Sequence, residues 1–276
     1  MFQLKNTTVK KTEAIIIIIA CLAILATAAG SYWFYRREAR REQIEFMYQK
    51  TKVTIPEGLT ALQADDLLFD KGIIAKRGSV AGYDINSLKG EYPFLEASPN
   101  LEGFLFPDTY EFYKDSNAQV VVRKILDNFK EKTRSQFGDK IPSQIYKELI
   151  EASLIEEEIK NVGNDRKLVA SLIERRIAEG MYLNIDASLC YARSKRGCEG
   201  RPLTAEDKKI NSGYNTYIYR GLPPTPIANP GLSAIEAVEH PIESEYLYYL
   251  TDPKTDKTIF STTLDEHNKN IAKYLR

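Results

Sequence analysis

Residues 142–160, "PSQIYKELIEASLIEEEIK", carry the pattern that decides how this chain folds. At about 100° per residue, Ile145, Leu149, Ala152, Ile155 and Ile159 gather on one side, which predicts an amphipathic helix with that side against a core. Pro142 and Ser143 open the helix, with Ser143 as a cap, and Gly163 lies beyond its end. Glu156 falls on the same side as the aliphatic residues, four beyond Ala152 and seven beyond Leu149. Glu157 lies on the flank and Glu158 turns away from the stripe, so both read as solvated surface.

Working outward, helical patterns also cover 117–137 and 165–179. From Val53, "VTIPEGLTALQADDLLFDKGII" reads as a short strand, a Pro-Glu-Gly turn and a helix. "LEGFLFPDTYEFY" alternates aromatics up to a bend at Pro107-Asp108 and reads as a strand edge near a groove. The tail from Glu245 reads as strand, turn at Asp252-Pro253-Lys254, strand and final helix. Helices and strands both contribute without regular beta-alpha-beta alternation, so the expected class is α+β. Gly, Ser, Asn and Pro between 78 and 100 place a soft boundary near residue 100. A small strand-helix subdomain is then expected at 51–100 and the larger mixed α+β domain at 101–276.

Toward the N-terminus, residues 14–35, "AIIIIIACLAILATAAGSYWFY", form an apolar run without a charge. A helix of about 20 such residues can cross a bilayer. The run ends in Tyr32, Trp33, Phe34 and Tyr35 followed by Arg36 and Arg37, an aromatic belt of interfacial type. An uncleaved anchor is the favoured reading, and a signal peptide cut near Ala26-Thr27-Ala28 is its competitor. Residues 36–50 then form a charged juxtamembrane stalk, and 1–13 a cytoplasmic N-terminus. Basic residues flank the run on both sides, so charge alone does not orient it.

The 276 residues suffice for one sizeable core or two small ones. Lys plus Arg balances Asp plus Glu at 38 each, which argues against a polyanionic partner such as nucleic acid. Seventeen tyrosines suit sugar stacking as well as any interface. Cys190 and Cys198 bracket the polar stretch "CYARSKRGC", either as a disulfide or as two free thiols, and Cys21 lies within the apolar run. His240 and His267 are the chain's two histidines, and no zinc-ligand spacing occurs. No metal and no cofactor are expected.

A carboxyl on an apolar face loses hydration, which raises its pKa and favours the protonated form that a general acid needs. Glu156 is therefore the candidate acid. The alternative is a buried ion pair, with Arg175 or Arg176 of the next helix as partner.

Several stretches, in order, resemble the endolytic murein transglycosylases of the MltG/YceG type, single-pass membrane enzymes that cut peptidoglycan. They are "LEGFLFPDTYEF" (101–112), "ASLIEEE" (152–158), "LVASLIERRIAEGMYLNIDASLCYA" (168–192), "YNTYIYRGLPPTPIANPG" (214–231), "EAVEHP" (236–241) and "EHN" (266–268). Ile55-Pro56-Glu57-Gly58 is similar to the segment such proteins carry before the catalytic part. The resemblance implies a lytic transglycosylase that cuts MurNAc–GlcNAc bonds within glycan strands, leaves 1,6-anhydro-MurNAc ends and limits nascent strand length. It assigns catalysis to Glu156, acting as acid and then as base. Glu102, Asp108, Tyr110, Asn184, Asp186, Ser188, Tyr214, Asn215, Thr216 and Asn229 are the implied substrate-binding positions, Asp186 foremost. Gly221, Pro223, Pro224, Pro226, Pro230 and Gly231 read as loop-shaping.

The same resemblance implies a single-pass protein of the cytoplasmic membrane with its catalytic part on the extracytoplasmic side. Glycan strands would be the main partner and peptidoglycan synthases a further one. The chain departs from the pattern at Ala187, where Pro is usual, and at Lys257-Thr258, where Gly-His is common. The LysM-like region expected before Ile55 is reduced to a remnant, and a polar insertion surrounds Cys198. Two other readings are a lysozyme-like hydrolase using Asp186 as second carboxylate and a non-catalytic wall-binding scaffold.

Overall fold

The computed structural model describes residues 3–160, 163–198 and 200–275, with side chains of the first helix described from Ile19 to Ile44. Two compact units result, Met1–Lys50 and Thr51–Arg276. The first is helix α1 (Gln3–Met47). Its Ile19, Leu22, Ile24, Leu25, Tyr32, Trp33, Phe34 and Tyr35 are all exposed. Among the described residues no helix is long and apolar enough to cross a membrane. The side chains of residues 14–18, which open the expected span, lie outside the described ones.

The second unit is mixed α+β. It runs β1 (Lys50–Ile55), α2 (Ala61–Asp70), β2 (Asp108–Tyr113), α3 (Ala118–Lys132), α4 (Arg134–Phe137) and α5 (Pro142–Glu158). There follow α6 (Asn164–Ala178), α7 (Asp186–Ser194), α8 (Leu232–Glu239), β3 (Tyr248–Thr251), β4 (Thr258–Ser261) and α9 (Leu264–Tyr274). The boundary placed near residue 100 is not a break in the fold, because β1 pairs with β2 across it. Val53 and Ile55 of β1 and Tyr110 and Phe112 of β2 enter the same core as α5.

Helix α5 is the centre. Its residues from Leu149 to Glu156 are buried without a break, so the apolar stripe read from periodicity understates the contact. A helix enclosed on every side needs apolar or satisfied residues all round, and Ile150 and Leu154 supply the face the stripe omits. Fully burying one such side chain contributes about 1.5–3 kcal/mol. Ile141 is the N-cap and Pro142 takes the first turn, where its missing N–H costs nothing. The expected cap, Ser143, therefore lies within the first turn, two residues past the cap.

The loop preceding α8 crosses α5 closely. Ser153 Oγ accepts from the Ile227 amide at 3.0 Å. Gly103, at φ +89°, lies beside Pro226, whose Cγ would be 2.7 Å from any added Cβ. Positive φ and this close approach both call for glycine. The tail forms the expected hairpin, β3 antiparallel to β4 with Tyr248 opposite Ser261 and Thr251 opposite Thr258. Asp252 closes its turn by accepting from the Lys254 amide at 2.9 Å and the Thr255 hydroxyl at 2.8 Å. Cys190 and Cys198 are joined as a disulfide.

Candidate active site

The three adjacent carboxylates at the end of α5 have three different surroundings. Glu156 is buried and doubly bound by Arg166, Nη2 to Oε1 at 2.7 Å and Nη1 to Oε2 at 3.0 Å. The Gly231 amide donates to Oε2 at 3.1 Å. Arg166 also donates from Nε to the Ile159 carbonyl at 3.0 Å, so the pair ties α5, α6 and the start of α8 together. Both Glu156 oxygens are engaged, and Glu156 lines none of the described cavities. The ion-pair alternative is the observed arrangement, with Arg166 as partner. Arg175 and Arg176 lie at the other end of α6 and bind the Ser244 carbonyl and the Leu247 and Leu183 carbonyls.

Glu157 faces the Ile55-Pro56-Glu57-Gly58 turn, where a Cβ added at Gly58 would stand 2.7 Å from its Oε1. Burial, with Glu156 and Glu158 nearby, pushes its carboxyl up to about 7. The turn itself is held by the Gly58 amide donating to the Asn229 carbonyl at 3.1 Å.

Glu158 is not the solvated residue that its helical position suggests. Strand β3 and the start of α7 cover that side of α5: the Tyr249 hydroxyl donates to Oε2 at 2.8 Å, and the Ala187 amide lies 3.5 Å from Oε1. Burial raises the carboxyl above its ordinary range, the hydrogen bonds from Tyr249 and Ala187 pull it back, and nearby Asp186 raises it again. The C-terminal end of a helix, with its partial negative charge, also disfavours a carboxylate there.

Glu158 lines two cavities. One, of about 430 Å³, is walled by Asn184, Asp186, Tyr217, Tyr248, Tyr249 and His267 among others. The second, of about 640 Å³, lies toward the β3–β4 turn. Glu158 and Thr251 belong to both. In the first, the Tyr217 hydroxyl donates to Asp186 at 2.5 Å, and the His267 ring stacks on Tyr248 at 5.3 Å between centroids. Burial and the nearby Arg176 hold His267 below the ordinary imidazole value, so it is neutral at pH 7.

Of the residues expected to bind substrate, Asn184 and Asp186 stand in this groove. Ser188, Asn215 and Thr216 stand behind it: Thr216 accepts from the Ile185 amide at 2.9 Å and contacts the Ser188 hydroxyl, while Asn215 receives the Tyr217 amide at 3.1 Å. They hold the two loops that present Asp186 and Tyr217. The remaining five lie elsewhere. Glu102 is buried, accepts from the Ala61 amide at 2.7 Å and the Tyr191 hydroxyl at 2.8 Å, and is pushed by burial to about 7. Asp108 pairs with Lys132 at 3.0 Å, and Tyr110 donates to the Phe106 carbonyl at 2.7 Å. Tyr214 bonds Thr225, and Asn229 bridges Leu105 and Leu59. The groove residues that sequence reasoning left out are Glu158, Tyr217, Tyr248, Tyr249 and His267. The repeated aromatic positions in "YNTYIYRG" and "EYLYYL" were the available signal. Among the described residues no group of His, Cys, Asp or Glu is arranged to hold a metal ion.

The YceG-like family model matches residues 2–273. The chain belongs to the YceG-like family. A YceG-like protein of Listeria monocytogenes, known from a crystal structure, superposes with a TM-score of 0.68 at 34% identity, covering 79% of this chain and 75% of that one. Among curated relatives, the endolytic murein transglycosylase of Bacillus subtilis (strain 168) is 34% identical over 240 residues. That of Streptococcus pneumoniae serotype 2 (strain D39) is 29% identical over 250 residues. Both alignments cover 81% of this YceG-like chain, which spans 65% of the Bacillus protein and 44% of the pneumococcal one.

Proposed function

We propose that this YceG-like chain is a lytic transglycosylase that cuts the MurNAc–GlcNAc bond inside peptidoglycan strands, with Glu158 rather than Glu156 as its acid and base. The observation that carries the reading is a part-buried carboxyl, raised above its ordinary range and steadied by Tyr249, standing in the shared wall of two cavities. A groove open on both sides of the acid suits cleavage within a strand. The names of the Bacillus and pneumococcal relatives support the same activity.

In the reaction, protonated Glu158 donates to the glycosidic oxygen, the C1–O bond breaks, and the GlcNAc 4-hydroxyl departs. The C6 hydroxyl of MurNAc attacks C1, closes the 1,6-anhydro ring and returns its proton to Glu158. Atoms balance without water, so one carboxyl serves both proton transfers. Glu156, held by the Arg166 guanidinium and the Gly231 amide, lines neither cavity and so does not reach the substrate in this reading. Its role in this reading is to fix the end of α5, and with it the position of Glu158.

Asp186, in the same cavity, is the observation that favours a second reading, hydrolysis by an added water. Mass spectrometry of the released muropeptides separates the two, since the anhydro end is one water lighter than the hydrolysed one. Replacing Glu158 by Gln in the full chain tests the assignment. Anhydro product that persists at the parental rate would end it.

Helix α1 is proposed to hold the chain at the cytoplasmic membrane, with residues 51–276 on the extracytoplasmic side. The charge-free stretch from Ala14 to Tyr35 supports this, as do the guanidinium groups of Arg36 and Arg37 over Tyr32 and Trp33 at 5.5 and 5.4 Å. Membrane fractionation and protease accessibility in whole cells test both statements.

A further inference from the structure

We infer that the cavity between Glu158 and the β3–β4 turn is a subsite for the acidic substituent of MurNAc, with Lys160 and Lys257 receiving its carboxylate. The inference rests on the transglycosylase reading and adds to it the direction in which the strand lies.

A murein strand alternates a sugar bearing an acidic lactyl-peptide arm with one that lacks it. Cleavage at C1 of the substituted sugar requires that sugar always to fall on the same side of the acid. The two sides of Glu158 differ in the way that would enforce this. One presents Tyr217, Tyr248, Tyr249 and neutral His267, faces suited to stacking on a plain sugar ring; its two charged members are engaged within the wall, Arg176 with the Leu247 and Leu183 carbonyls and over the Tyr248 ring, and Asp186 with the Tyr217 hydroxyl. The other presents Lys160 and Lys257 with the hydroxyl-bearing Thr251, Thr255 and Thr258. It is also the larger, about 640 against 430 Å³, as the bulkier substituted sugar requires.

Among the described residues neither Lys160 nor Lys257 is held in an ion pair, although Lys160 also stands near the Glu157 carboxyl. Asp256 is the one other carboxylate beside Glu158 in that lining, so with Glu158 protonated the side carries a net positive charge. Thr251 and Thr258 face each other across the hairpin, which fixes the wall next to Lys257. Ammonium groups in a partly enclosed wall form charge-assisted bonds to a carboxylate that a neutral sugar cannot offer.

The test uses the full chain and uncross-linked strands in two forms, native and with carboxylates converted to amides. The parent is expected to favour native strands by on the order of tenfold in kcat/KM. The double variant Lys160→Gln, Lys257→Gln is expected to lose that preference while still cutting amidated strands, which also reports that it is folded. Equal use of both strands by the parent, or an undiminished preference in the double variant, overturns the subsite. Amidase-treated strands lose the peptide and gain a free lactyl carboxylate, which the native strand holds as an amide. Native-like rates place the carboxylate site close to the sugar ring, and amidated-like rates place it farther out along the peptide. Calorimetric binding of both strands to Glu158→Gln, with and without the lysine changes, separates this inference from the catalytic reading. Lysine-dependent binding without cleavage by the parent ends the reaction assignment and leaves the subsite standing. Binding that ignores the lysines ends the subsite.

Discussion

The Tyr249 hydroxyl donates a hydrogen bond to Glu158 at 2.8 Å, joining strand β3 to the last residue of helix α5. Neither residue is notable alone. Together they fix one oxygen of a carboxyl that lines two cavities.

The Tyr249 bond favours the ionised carboxylate, opposing the upward push of burial. Tyr249→Phe is therefore expected to raise the Glu158 pKa further. The limb of the pH–kcat profile that reports loss of the acid then moves to higher pH, and kcat drops about tenfold or less with KM little changed. A downward shift, or a change confined to KM, contradicts the positioning role.

Interior carboxyls make stability fall as pH rises. Glu151, with Oε1 buried and unpartnered, is pushed by burial to about 8, and Glu102 to about 7. Their folded-state pKa values lie above the unfolded ones, so the folded state holds more protons and its advantage is full below about pH 4.5. It is lost as pH climbs through 7 and 8. Thermal melts between pH 5 and 9 should decline by an amount equivalent to a few kcal/mol, and Glu151→Gln should flatten the upper part of that decline.

The Cys190–Cys198 bridge closes a loop that is docked on α2, through Gln63 to the Arg196 carbonyl at 2.9 Å and the Arg196–Asp66 ion pair. It also sets Lys195 over the Tyr214 ring. Short-loop disulfides stabilise by roughly 2–3 kcal/mol. Reductant, or Cys198→Ser, should lower the melting temperature by several degrees and leave cleavage by the remaining folded protein intact, since none of these groups lines the groove beside Glu158. Unchanged melting would show that the bridge contributes nothing to folding.

Much of this was legible in the sequence where the deciding contacts are local. The α5 pattern, the Asp252-Pro253-Lys254 turn and the tail hairpin with its final helix all stand where their residues place them. The burial of Glu156 also followed from its spacing to Leu149 and Ala152. What spacing within one helix cannot register is a neighbour from a distant part of the chain. Arg166 binds Glu156 because it stands in the first turn of α6, whereas Arg175 and Arg176 lie more than two turns farther along that helix. Glu158 looked solvated because its cover comes from Tyr249 and Ala187, 91 and 29 residues later. The division at residue 100 failed for the same reason, since β2 completes the sheet that β1 begins.

The most direct measurement compares Glu158→Gln with Glu156→Gln in the full chain, reading both anhydro-muropeptide release and thermal stability. Loss of a general acid costs about 100-fold or more, and breaking one side of a buried ion pair costs about 3–5 kcal/mol. Glu158→Gln should abolish release with melting unchanged, and Glu156→Gln should lower the melting temperature sharply while the protein that remains folded still cleaves. Parental activity in Glu158→Gln, or a stable and inactive Glu156→Gln, would contradict the account.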